Sequence, residues 1–258
     1  MIVQKKINMQ KKFLLEICVD SFESARRASE CGADRLELCG DLLVGGVSPS
    51  PFLIEQVVSR IKTPVNVLLR PRFGDFCFTD EEKEVLLREI DFCAKTGVNG
   101  IVIGALTPGG ELDVPFLSRC MAAAGDLEVT LHRCFDVCRD GFEAIETACD
   151  LGIQTILTSG QMATAPKGAE NLKAFRAFAA DRIHLMAGSG VSAANIPQLH
   201  AETGICHFHL SAKASEPGPM HFHREGVPMG LPMASEFDRQ YASPAAVRAA
   251  REAVDSLQ

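Results

Sequence analysis

Five short apolar runs in this chain place a charged or hydrogen-bonding residue at every second position, so that each has one apolar and one polar side. In the run from Phe13, Leu15, Ile17 and Val19 share one side while Glu16 and Cys18 share the other. From Asp34, Leu36 and Leu38 oppose Arg35, Glu37 and Cys39; from Val65, Val67 and Leu69 lie opposite Asn66, Arg70 and Arg72. The same alternation sets Val129 and Leu131 against Thr130 and His132, and Phe208 and Leu210 against His207, His209 and Ser211. Period two is the signature of a strand. Strands buried on both faces otherwise read as nearly unbroken Val, Ile and Leu, so the polar sides here line something special. An unpaired charge buried there would cost several kcal/mol, a large part of a domain's net stability. The polar side must therefore be paired, wet or both.

Strand patterns begin near Phe13, Arg35, Val65, Gly100, Val129, Thr155, Ile183 and Cys206, and helical periodicity fills the intervals. Between Thr79 and Thr96 the local signals agree: Thr79 with Glu82 makes a capping box, Leu86, Ile90 and Cys93 make an apolar stripe, and Gly97 supplies a left-handed stop. Ser192 is positioned to cap the segment carrying Ile196 and Leu199, and Ser243 with Pro244 opens a last helix carrying Val247, Ala250 and Val254. An open doubly wound sheet also alternates strand and helix, but eight evenly spaced units favour a closed (β/α)8 TIM barrel, one α/β domain over residues 13–258. Residues 1–12 read as a frayed N-terminal arm. From Ala212 to Ala242 the chain has no clear period and is rich in proline and glycine. A long loop of that kind reads as a lid over the strand ends.

Composition narrows the function. A formal charge of -7, without extended basic runs, argues against nucleic acid or an anionic membrane as main partner. Ten cysteines are scattered singly, with no CxxC and no secretory leader, as reduced thiols in the cytoplasm would be. No apolar stretch is long enough to span a membrane. A small molecule or an ion is the expected partner, and an exposed apolar helix face could make a homo-oligomer, a dimer or tetramer.

At the carboxyl ends of barrel strands, Glu16, Glu37, Arg70, Arg72, His132 and His209 are the candidate catalytic residues. Arg70 and Arg72 lie two apart, so their forks could grip a carboxylate or phosphate, or equally pair with Glu16 and Glu37. Two small-residue turns, one with Ser159 and Gly160 and the other with Gly188, Ser189 and Gly190, offer backbone N–H groups to an anion. Cys18 and Cys39 would occupy matching places on neighbouring strands, close enough for two thiolates to hold Cu(I), or equally to be inert core thiols. Cys134 and Cys138 with His132 match no standard zinc spacing. Met220, His221, His223, Met229 and Met233 resemble a soft-metal tract or a flexible polar lid.

These residues bring the chain close to a known family. LEICVDS at Leu15, DRLELC at Asp34, GGVSPS at Gly45, RPRFGDF at Arg70, HRCFD at His132, LTSG at Leu157, GSGV at Gly188 and FHLSA at Phe208 resemble, in order, the copper homeostasis protein CutC family. The resemblance implies a cytoplasmic barrel, often oligomeric, with Cu(I) at the cysteines matching Cys18 and Cys39. Its motif residues carry over as Glu16, Glu37, Arg70, Arg72, His132, Arg133, Asp136, Ser159 and His209. The chain departs from the family at Phe73, Cys134 and Gln161, where glycine, alanine and glycine are usual. Two functions stay open: copper binding or trafficking through Cys18 and Cys39, and acid–base catalysis on a small anionic carboxylate or phosphate metabolite. The second would use Arg70 and Arg72 as the anion grip, with Glu16 or Glu37 and His132 as acid and base.

Overall fold

In the computed structural model, which describes residues 12–231 and 234–257, eight parallel strands close into a barrel in chain order. They are β1 (Leu14–Val19), β2 (Arg35–Leu38), β3 (Val65–Leu68), β4 (Gly100–Ile103), β5 (Glu128–Leu131), β6 (Thr155–Thr158), β7 (His184–Ala187) and β8 (His207–Leu210). Each starts within one residue of the position expected from the alternation. Closure is direct, with Leu14 to Ile17 of β1 beside His207 to Leu210 of β8. The expected N-terminal arm falls almost wholly outside the described residues.

Helices α1 (Phe22–Glu30), α2 (Pro51–Arg60), α3 (Asp80–Thr96), α4 (Val114–Ala124), α5 (Gly141–Leu151), α6 (Ala169–Ala179), α7 (Ile196–Thr203) and α8 (Pro244–Asp255) surround it. The capping box of α3 forms as anticipated, with Thr79 accepting from the Glu82 N–H, and Gly97 ends the helix at φ 82°. Ser243 caps α8 through the Ala246 N–H. Ser192 does not cap α7. Its backbone carbonyl accepts from the N–H groups of Asn195 and Ile196, so a turn intervenes and the helix starts at Ile196.

The alternation divides the interior in two. Leu15, Ile17, Leu36, Leu38, Val67 and Ile101 belong to a large apolar cluster packed with helix residues such as Ile54, Ile90 and Leu117. Cys18, Cys39, Leu68 and Val102 form a separate small cluster, with Leu42 against it. Glu16, Arg35, Glu37, Asn66, Thr130, His207 and His209 are buried too, as a polar column inside the barrel.

The segment expected to be an irregular lid contains a hairpin instead. β9 (Lys213–Pro217) pairs antiparallel with β10 (Asp238–Ala242). It docks on α1: the Ala242 N–H donates to Ser24, Arg27 lies over the Tyr241 ring, and Glu216 is 3.5 Å from Arg27. Among the described residues of this segment, Lys213 lines the main cavity at the barrel mouth, and Gln240, Tyr241 and Ala242 share a smaller adjoining cavity with Cys18. The sequence signal was hidden because the hairpin is largely exposed, so proline and polar residues replace the alternation that burial imposes on the barrel strands.

Candidate functional site

A cavity of about 630 Å³ opens at the carboxyl ends of the strands. It gathers Cys18, Glu37, Arg70, His132 and His209, as the strand pattern anticipated, together with Arg133, Asp136, Ser189, Gly190 and Lys213. Register explains the convergence. Glu16 stands level with Arg35 on one side and His209 on the other, and Cys18 stands level with Glu37 one layer higher.

These two layers form a charged column. Glu16 takes the Arg35 Nε on one oxygen and His209 Nδ1, at 2.8 Å, on the other. Arg35 continues to Glu128 at 3.3 Å. Burial opposes ionisation of Glu16, but Arg35 and His209 outweigh it and hold its pKa down at about 2. Glu16 thus sits beneath the site as the charge partner of Arg35 and His209, and is absent from the cavity lining where an acid or base was expected. Burial also works against a charged His209, yet the Cys18 sulfur and the carboxylates of Glu37 and Glu16 raise its pKa well above the usual histidine range. His209 Nε2 lies 3.7 Å from Glu37. Glu37 itself is pushed up, by burial against the pull of His209.

The two cysteines behave differently. Cys18, Glu37 and His209 each offer a ligand atom, and these atoms lie within 4.8 Å of one another, the one such group among the described residues. Cys39 is not part of it. Cys18 pairs with Glu37 in register, so Cys39 stands two residues beyond Cys18's level, and its thiol donates to Glu37 at 3.4 Å. Burial, with Glu37 beside it, drives the Cys39 pKa well above the ordinary thiol value. The expectation of matching places for Cys18 and Cys39 is corrected by this one-layer offset. Cys134 and Cys138 are buried thiols whose pKa values burial also raises. Met220, His221, His223 and Met229 are exposed, with His223 stacked on Phe237, and Met233 lies outside the described residues.

Arg70 and Arg72 part company. Arg70 is buried and lines the cavity, its terminal nitrogens donating to the Gly46 and Gly74 carbonyls. Arg72 turns away to Glu82, at 2.6 Å, and Asp75, at 2.9 Å, and ties down the loop before α3. The expected two-arginine grip is therefore not formed. β3 ends at Leu68 and the chain bends from Pro71 onward, so the strand alternation on which that expectation depended no longer governs Arg72.

The two glycine turns also differ. The Ser159 N–H and Oγ, the Gln161 N–H and the Thr158 Oγ1 all donate to Asp136, while the Gly160 N–H goes to Thr158 Oγ1. An internal carboxylate already fills the anion position expected at Ser159 and Gly160. The Gly188 N–H donates to the Thr158 carbonyl, which removes it as an anion donor. Ser189 and Gly190 do line the cavity, at left-handed φ of 70° and 69°. Arg35, Phe76 and Lys213 were not singled out from sequence. Arg35 was discoverable, two residues before Glu37 on the same inward side; Phe76 sits in a loop and Lys213 opens the largely exposed β9, where no hydrophobic period reveals them.

Fold and site define a (β/α)8-barrel protein whose mouth combines a soft sulfur and imidazole donor pair with carboxylates. The CutC family model matches residues 13–214, and the chain belongs to the CutC family. A CutC family protein of Bacteroides fragilis is 42% identical over 249 residues, covering 96% of this chain and 98% of the relative. Another, of Xanthomonas campestris, is 44% identical over 80% of this chain and 86% of its own length. Among solved structures, a protein of Streptococcus agalactiae named for CutC and for copper homeostasis is similar, with TM-score 0.74 and 29% identity over 77% of this chain and 98% of its own. A thiamine phosphate pyrophosphorylase of Pyrococcus furiosus, at TM-score 0.59 and 15% identity over 97% of this chain and 99% of its own, shares the fold. No helix among the described residues is long and apolar enough to cross a membrane.

Proposed function

We propose that this chain serves copper homeostasis in the cytoplasm by holding monovalent copper at the barrel mouth, through Cys18 and His209 with Glu37 beside them. One observation carries it: three ligand-type atoms from three strands converge within 4.8 Å beside an open cavity. Sulfur and imidazole donors suit Cu(I), whereas a carboxylate is a harder ligand and completes the charge balance. Glu16 occupies His209 Nδ1, which leaves Nε2 for the ion and fixes the ring. The family and the names of its members support copper as the cargo. Ten free cysteines suit a reducing compartment.

Protonated His209 must lose its Nε2 proton to solvent before that nitrogen can bind the ion, so loading is coupled to proton release. An anaerobic competition titration against a Cu(I) chelator tests the proposal. The wild type should take one equivalent, and His209→Gln should bind at least about tenfold more weakly, the order expected for loss of one ligand or its support. Equal affinity in the two would contradict it.

A further inference from the structure

Among the described residues, two buried donors at the cavity have no acceptor. Arg70 uses both terminal nitrogens on backbone carbonyls, at 3.2 and 2.7 Å, but its Nε has no partner. His132 accepts the Cys134 N–H on Nδ1 at 3.1 Å. Burial, with Arg70 nearby, holds the His132 pKa down at about 3, so the ring is neutral and its one proton sits on Nε2. That Nε2–H is also unpartnered. Arg70 and His132 are 8% and 5% exposed, and both line the cavity. Orphaned buried donors are rare in folded proteins, and two in one cavity wall point to a missing acceptor.

Charge points the same way. Arg35 pairs with Glu16 and Glu128, and Arg133 with Asp136. Among the described residues, no carboxylate makes an ion pair with Arg70. The N–H groups of Ser189 and Gly190, on the same cavity, donate to no acceptor among the described residues.

We propose that this corner binds the carboxylate of a small metabolite, with Arg70 Nε–H and His132 Nε2–H as its donors. It is independent of copper and uses neither Cys18 nor Glu37. A single negative charge balances Arg70, since His132 is neutral and Arg133 is already matched. A planar carboxylate suits a guanidinium edge beside a second N–H. Leu68, Phe76, Leu157 and Leu210 give the cavity an apolar wall for the carbon skeleton. The Phe76 ring packs on both donors, 4.8 Å from the Arg70 guanidinium and 4.9 Å from the imidazole. Both nitrogens are sealed from water, so entry of the carboxylate requires the Phe76 ring to turn aside.

Calorimetric titration of the metal-free protein, in the presence of a chelator, with pyruvate, succinate, benzoate and inorganic phosphate tests the site. At least one carboxylate should bind saturably, and Arg70→Met should weaken it at least about tenfold, as removal of a charge-assisted donor does. Should Arg70→Met fail to fold, Arg70→Lys keeps the charge, loses Nε, and should weaken binding in the same direction. Absence of saturable binding by every carboxylate, binding of phosphate alone, or affinity unchanged in the folded variant would overturn the proposal.

Discussion

Glu16 and His209 face each other across the seam where β1 meets β8, with 2.8 Å between the carboxylate and His209 Nδ1. The other oxygen of Glu16 takes Arg35. One buried anion thus holds two cations, one from the neighbouring strand on each side. Removing one partner of such a pair leaves an uncompensated charge and costs about 3–5 kcal/mol. Glu16→Gln should therefore lower the unfolding free energy by about that much in urea titrations at pH 7. A loss below about 1 kcal/mol would mean that the column does not depend on this carboxylate.

Stability should peak near neutral pH. Burial holds His132 and His207 at pKa values of about 3, below the usual 6.5. Between those limits the unfolded chain binds more protons at both, so stability is present above about pH 6.5 and declines as pH falls towards 3. Glu16, held at about 2, adds a further loss as pH falls below its ordinary 4.5. Glu37, whose pKa burial raises, offsets part of the decline just above pH 4.5. His209 works in the opposite direction at the alkaline end. Its raised pKa stabilises the fold fully below about 6.5, and that contribution fades as pH rises through the folded value. Urea midpoints should fall by the equivalent of about 2–4 kcal/mol from pH 7 to pH 5. A flat profile over that interval would show that the two neutral histidines are not buried as described.

Asp136 organises the turn after β6 by accepting from the N–H groups of Ser159 and Gln161 and the hydroxyls of Thr158 and Ser159. Asp136→Asn turns one acceptor oxygen into a donor facing other donors. The variant should lose about 2–3 kcal/mol, the scale of a broken buried network. Hydrogen exchange should quicken at Ser159 and Gln161 specifically. Protection equal to the wild type at both amides would contradict this role.

The barrel was legible because five of its strands carry a period-two alternation of apolar and polar residues, and the helices between strands carry their own signals, as Thr79 and Gly97 do for α3. Glu37, Arg70, His132 and His209 were legible for the same reason: each follows the alternation up to the mouth. What failed was anything decided between strands. The stagger that separates Cys18 from Cys39 is a property of register, which one strand's sequence does not contain. Arg72 left the pattern as soon as the chain left β3. The occupancy of the Ser159 turn by Asp136 depends on a side chain more than twenty positions away. Sequence also offered Arg70 as partner for Glu16, whereas Arg35, aligned with Glu16 in register, takes that place.

In the proposed function, Cys18 with His209 and Glu37 holds the copper ion, and Cys39 is a protonated bystander. Parallel anaerobic Cu(I) titrations of Cys18→Ser and Cys39→Ser test it most directly. The account predicts at least about a tenfold loss of affinity for Cys18→Ser and near wild-type affinity for Cys39→Ser. Equal losses in both variants, or none in either, would contradict it.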